Sequence, residues 1–112
     1  MSRIKRAEKL GLKTQEAYED IINEVAEIRI DKLVSYGEDR YSQKEGFDFD
    51  MHMCFSDVFR KYIRLKQLIK NNVSYKVTAR DGETLRDTLL DLANYAIMGI
   101  QIYDSYKKKG NK

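Results

Sequence analysis

Gly82 to Tyr103 reads GETLRDTLLDLANYAIMGIQIY, and the way this stretch is read decides the fold. It has helical apolar periodicity, yet it carries acids and an amide where a core helix carries hydrocarbon. Glu83, Asp87, Asp91 and Asn94 follow at steps of four, four and three, so a helix stacks them on one side. Leu85, Leu89, Leu92 and Ala96 take the opposite side. From Leu92 to Tyr103 nearly every residue is apolar or small, the pattern of a helix buried all round. Carboxylates entering such a helix must be paired, hydrogen-bonded or bound to a ligand or metal. The expectation is a polar pocket inside a helical protein.

Two further long helices lie upstream. The first is expected over Thr14 to Tyr36, where Tyr18, Ile21, Ile22, Val25, Ile28 and Leu33 recur near helical spacing and Gly37 supplies the left-handed stop. The second is expected over about Asp50 to Lys70, with Asp48 or Asp50 as its cap. Its apolar stripe is Met51, Phe55, Val58, Tyr62, Leu65 and Ile69. The helix containing the opening stretch runs from near Gly82, capped by Asp81 or Thr84, to near Tyr106. The connector from Gly37 to Phe49 is long and rich in acids and aromatics, as functional loops often are. The second connector alternates Val73, Tyr75 and Val77 but is too short to found a sheet. Residues 1–13 are a basic stretch, either a short helix or disordered, and residues 107–112 are a basic tail. The sum is one all-α domain over residues 1–112: a small bundle of three long helices plus a short one. The last helix needs more cover than two partners give, which a second copy would supply.

Composition narrows the classes. A hydrophobic fraction of 42% and a charged fraction of 35% suit a globular protein, and proline is absent. The longest apolar run is too short and interrupted to span a bilayer. The N-terminal MSRIKRAEKLGLK lacks the apolar core of a secretion signal. A single Cys54 fits a reducing, cytoplasmic setting. The net charge of +3, without a basic stripe or groove-reading motif, argues against nucleic acid as the partner.

Several side chains are candidates for chemistry. Asp20, Glu24, Glu27 and Asp31 form an acidic stripe on the first helix, either a solvated face or one half of a Mg²⁺ site. Asp87, Asp91 and Asn94 are expected to be buried. On the second helix Arg60, Lys61 and Arg64 either pair with those acids or hold a phosphate. Tyr36 stands at a helix end beside a flexible glycine, where it can stack on a base or anchor the loop. His52 has no second His or Cys at ligand spacing, so zinc is not expected. No phosphate-binding glycine loop or nucleophile motif occurs.

RDTLLDLANYAIMG, Arg86 to Gly99, resembles the signature of the nucleotide modification associated domain 1 family, small proteins common in phages and bacteria. Other parts of that family's pattern are echoed. A Lys and then an Asp-Tyr-Gly close its first helix; here they are Lys32 and Ser35-Tyr36-Gly37. An Asp-Lys-Phe-x-Arg-Leu lies in its second helix; here it is Arg60-Lys61-Tyr62-Ile63-Arg64-Leu65. A Glu-Ser-Ile-x-Asp-Thr opens its third; here it is Glu83-Thr84-Leu85-Arg86-Asp87-Thr88. The chain departs from the pattern at Ser35 and Arg60, where the family has acids. Glu24-Val25-Ala26-Glu27 is also similar to the Glu-x-x-Glu of MazG-like all-α nucleotide pyrophosphohydrolases. The second acidic motif of that group is not met.

The resemblance implies the phage setting and the link to nucleotides; together with the residue patterns above, it leads to the expectation of a cytoplasmic homo-oligomer that binds a nucleotide or nucleotide-derived small molecule. It would need no cofactor, and it would sequester a nucleotide immune signal without cleaving it. Its site would comprise Tyr36, Lys61, Arg64, Asp87, Asp91 and Asn94, with the Gly37 to Phe49 loop as a lid. The alternative is a Mg²⁺-dependent pyrophosphohydrolase whose ion is held by Glu24, Glu27, Asp87 and Asp91.

Overall fold

The computed structural model describes residues 2–11, 14–71 and 84–110. The fold is all-α, with α1 over Arg3–Lys9, α2 over Thr14–Tyr36, α3 over Phe47–Lys70 and α4 over Leu85–Lys108. Glu83 and the alternating Val73, Tyr75 and Val77 fall outside the described residues. No described helix is long and apolar enough to cross a membrane. Contacts divide the chain into two compact units, Met1–Gly37 and Glu38–Lys112.

In the first unit the basic N-terminal stretch forms α1, whose cap Ser2 accepts from the Lys5 amide at 3.2 Å. The bounds of α2 are those expected from its sequence. Gly37 ends it at φ +74°, its N–H donating to the Leu33 carbonyl at 2.8 Å. Val25 is the buried apolar residue of α2, while Tyr18, Ile21, Ile22, Ile30 and Val34 stay exposed.

The second unit is a hairpin of α3 and α4 with residues 38–46 laid against it. α4 starts with a capping box: the Thr84 hydroxyl accepts from the Asp87 amide at 2.9 Å, and the Asp87 carboxylate accepts from the Thr84 amide at 3.0 Å. Thr84→Ala is expected to lower stability by about 1 kcal/mol. Thermal denaturation followed by circular dichroism would read this as a midpoint lower by a few degrees, with the same starting helix content.

α3 corrects two expectations. It begins at Phe47, three residues early, with Gly46 at φ +106° as its N-cap and no side-chain capping bond. Asp48 and Asp50 lie inside the first turn, where the positive end of the helix dipole favours acids. The packed face is also displaced by about one residue from the apolar stripe. Asp50, Cys54, Asp57 and Leu68 are buried, whereas Phe55, Phe59, Tyr62 and Ile69 are about half exposed or more. The cause lies in the partners. Asp50 and Asp57 are buried because α4 and the 38–46 segment supply donors for them. Cys54 is admitted because Gly99 faces it: a Cβ at Gly99 would meet the Cys54 sulfur at 3.1 Å. Cys54 donates to the Tyr95 carbonyl at 3.3 Å. The core joins Tyr41, Cys54, Tyr95, Met98, Ile102 and Tyr106. Wholly buried Ile102 contributes about 2 kcal/mol by removal from water. Phe47 meets Tyr103 and Tyr106 edge to face.

Candidate functional site

A polar seam runs along the α3–α4 hairpin. One rung is an ion pair, Lys61 Nζ to Asp91 Oδ2 at 2.8 Å, with side chains 13% and 21% exposed. Breaking one side of a pair so shielded strands the other charge. On α4, Thr88 lies one turn before Asp91, and Asn94 lies three residues after it; both are buried. Arg64 follows Lys61 on α3 and is half-buried. Four of the residues anticipated for a ligand site, Lys61, Arg64, Asp91 and Asn94, are thus half-buried or buried on one hairpin.

Asp87 does not share their environment. It was expected to be buried but is exposed, its carboxylate accepting from the Thr84 amide. That backbone bond, followed by the Thr84 hydroxyl contact, holds its carboxyl below the ordinary range. The four-residue spacing from Asp91 is therefore real, but it runs off the packed part of the helix into its capped end. Tyr36 is 75% exposed, an aromatic face open to stacking. On α2, Glu27 is exposed and Glu24 half-buried. Among the described residues no three His, Cys, Asp or Glu side chains come together as a metal's donors.

The next rung along the seam was not anticipated. Asp57, one turn before Lys61 on α3, is 4% exposed and accepts four hydrogen bonds. Arg40 donates twice, Nε to Oδ2 at 2.9 Å and Nη2 to Oδ1 at 2.7 Å, the two-toothed geometry that guanidinium and carboxylate favour. The Tyr41 hydroxyl donates to Oδ2 at 2.7 Å. Arg60 Nη2 reaches Oδ1 at 3.4 Å and the Tyr95 hydroxyl at 3.4 Å. Burial pushes the Asp57 carboxyl up, but Arg40, Tyr41 and Arg60 outweigh it and hold it below the ordinary range. Burial, then the bond to Asp57, drives the Tyr41 hydroxyl far above its usual value, so it remains a donor. A second buried acid, Asp50, takes the Tyr106 hydroxyl at 2.5 Å, and the same oxygen of Tyr106 accepts from the Gly46 amide at 3.0 Å.

These bonds change the reading of the loop. The segment expected to act as a lid is tied down through Arg40 and Tyr41, through Gly46, and through Lys109 Nζ on the Gln43 carbonyl at 2.9 Å. It is a fixed strap in this structure. The signal for it was present in the sequence: Asp50, Cys54, Asp57, Lys61, Arg64 and Leu68 recur at steps of four, three, four, three and four, a second stripe beside the apolar one.

Comparisons with protein-family models, with curated proteins and with solved structures found no match.

Proposed function

We propose that this chain binds a nucleotide or nucleotide-derived small molecule as a homo-oligomer and holds it without cleavage. The observation that carries the reading is the shielded Lys61–Asp91 pair beside buried Asn94, a cation, an acid and an amide gathered on one hairpin. Lys61 and Arg64 suit phosphate oxygens, while Asp91 and Asn94 suit the hydroxyl and amino groups of sugar and base. Asp87 serves its own helix and drops out of the ligand set. The motif around Arg86 to Gly99 supports a phage or bacterial setting. In a phage, such a protein would withdraw a nucleotide immune signal in the host cytoplasm.

The test is a thermal-shift screen against nucleotides, paired with mass spectrometry of small molecules carried through purification. A ligand at one hundred times its Kd stabilises the folded state by about 2.7 kcal/mol, a plain shift. The expected result is stabilisation by at least one nucleotide, recovered intact after heating, and its loss in Lys61→Ala. No shift with any nucleotide at millimolar levels would refute the reading. Pyrophosphate release with Mg²⁺, abolished in Asp91→Ala, would instead identify the pyrophosphohydrolase.

A further inference from the structure

We infer that Arg40 and Arg60 form an anion seat that takes a phosphate or pyrophosphate group. The two guanidiniums converge on a single oxygen, Asp57 Oδ1, from Nη2 of Arg40 at 2.7 Å and Nη2 of Arg60 at 3.4 Å. Their Nη2 atoms are therefore no further apart than the sum of those distances, close enough for one tetrahedral anion to bridge. Two cations share one carboxylate, so the cluster keeps a net charge of +1. Asp57 is already filled: two bonds from Arg40 and one from Tyr41 leave Arg60 at the long edge of contact. The charge of Arg60 exceeds what the buried acid needs.

Exposure gives the direction of approach. The Arg40 and Arg60 side chains are 49% and 56% exposed, whereas Asp57 beneath them is 6% exposed. Each guanidinium carries five N–H donors, and Asp57 engages one edge of Arg40, so its outer edge faces water. The bidentate bond fixes that edge in place, so an incoming anion does not have to order a flexible side chain. Arg60 is steadied from below by the Tyr95 hydroxyl. Repulsion between the two cations is relieved only once by Asp57, and an added anion relieves it again. A phosphate matches better than a carboxylate because its three terminal oxygens can meet both guanidiniums together. The seat lies within the second unit and holds whether or not the Lys61 rung takes a nucleotide.

The experiment titrates inorganic pyrophosphate into the full chain at constant ionic strength, read by calorimetry and by the arginine Nε–H signals in nitrogen-15 spectra. Saturable binding is expected, with the Arg40 and Arg60 signals moving together. Arg60→Gln removes the surplus cation while leaving Arg40 and Tyr41 on Asp57, so the fold persists. It is expected to weaken binding roughly tenfold or more, since a charged hydrogen bond is lost. Lys66→Gln, on the exposed side of α3, should leave affinity unchanged. Equal affinity of Arg60→Gln and the parent chain would overturn the seat, as would an absence of saturation at millimolar pyrophosphate. Loss in Lys61→Ala without loss in Arg60→Gln would move the anion to the Lys61 rung and overturn it too. The nucleotide reading is judged separately, by the nucleotide screen.

Discussion

Asp57→Ala is expected to cost about 3 kcal/mol of folding stability, measured by urea denaturation. Deleting one side of a buried ion pair costs about 3–5 kcal/mol because the remaining charge is stranded. The low end applies here: Arg40 and Arg60 are about half exposed and can turn to water, while only the Tyr41 hydroxyl is left in the core. Asp57→Asn keeps the acceptor for Tyr41 but loses the charge, and should cost less. The variant also has an acid signature. In the folded chain the Asp57 carboxyl titrates below the ordinary 3.8. Its contribution is therefore complete above the ordinary value and disappears as pH falls through the lower folded one. Asp87, held low by the Thr84 amide, behaves alike. The alanine variant should lose stability less steeply below pH ~4 than the parent, though not become flat, because Asp87 remains. A parent and variant with the same stability and acid slope would show that the Asp57 cluster does not anchor the strap.

Which parts of this molecule were legible follows from where their causes lie in the chain. The end of α2 and the start of α4 are written locally. Gly37 adopts the left-handed turn that its position suggested, and Thr84 caps as a threonine three residues before an acid should. The packed face of α3 is not written locally. Hydrophobicity ranks Phe55 and Tyr62 above Asp50 and Asp57, and that measure places the packed face about one residue off, although Met51 and Val58 of the apolar stripe do pack against the core. What buries the two acids is a hydroxyl 56 residues away for Asp50 and a guanidinium 17 residues away for Asp57. The second stripe in α3 marks which acids share a face, but it does not name the distant groups that meet them. Asp87 shows the converse. Its spacing from Asp91 is correct, but the ladder crosses a helix terminus, where an acid at the third position is a cap before it is anything else. The 37–49 loop is tied down in place of the expected lid for the same reason that the α3 face is shifted: it is held through Asp57 and Asp50 of α3, of which only Asp50 is singled out from sequence, and only as a cap.

The displaced face of α3 has a consequence for assembly. Phe55, Phe59, Tyr62, Ile100 and Tyr103 are each about half exposed or more, leaving on the order of 500 Å² of apolar surface in water on the hairpin. Phe55 and Phe59 stack at 6.1 Å, with Tyr62 tilted against Phe59 at 6.3 Å. Beside them lies an open groove of about 390 Å³, walled by Met51, Phe55, Val58, Ile100 and Tyr103, with Cys54 and Gly99 at its base. A monomer rarely leaves so large an apolar patch in water. The proposed homo-oligomer gives it cover: a second hairpin would bury a stripe of this kind as a helical bundle does. Phe55→Asp with Phe59→Asp is therefore expected to shift the chain toward a 13.2 kDa monomer in chromatography with light scattering. Each aromatic anchor lost from an interface centre weakens association by about 30-fold, for a cost of about 2 kcal/mol. Helix content should hold, since both rings already lie half in water within the isolated chain. A parent protein that remains monomeric at every concentration would refute the assembly, and an assembled double variant would place the contact on another face.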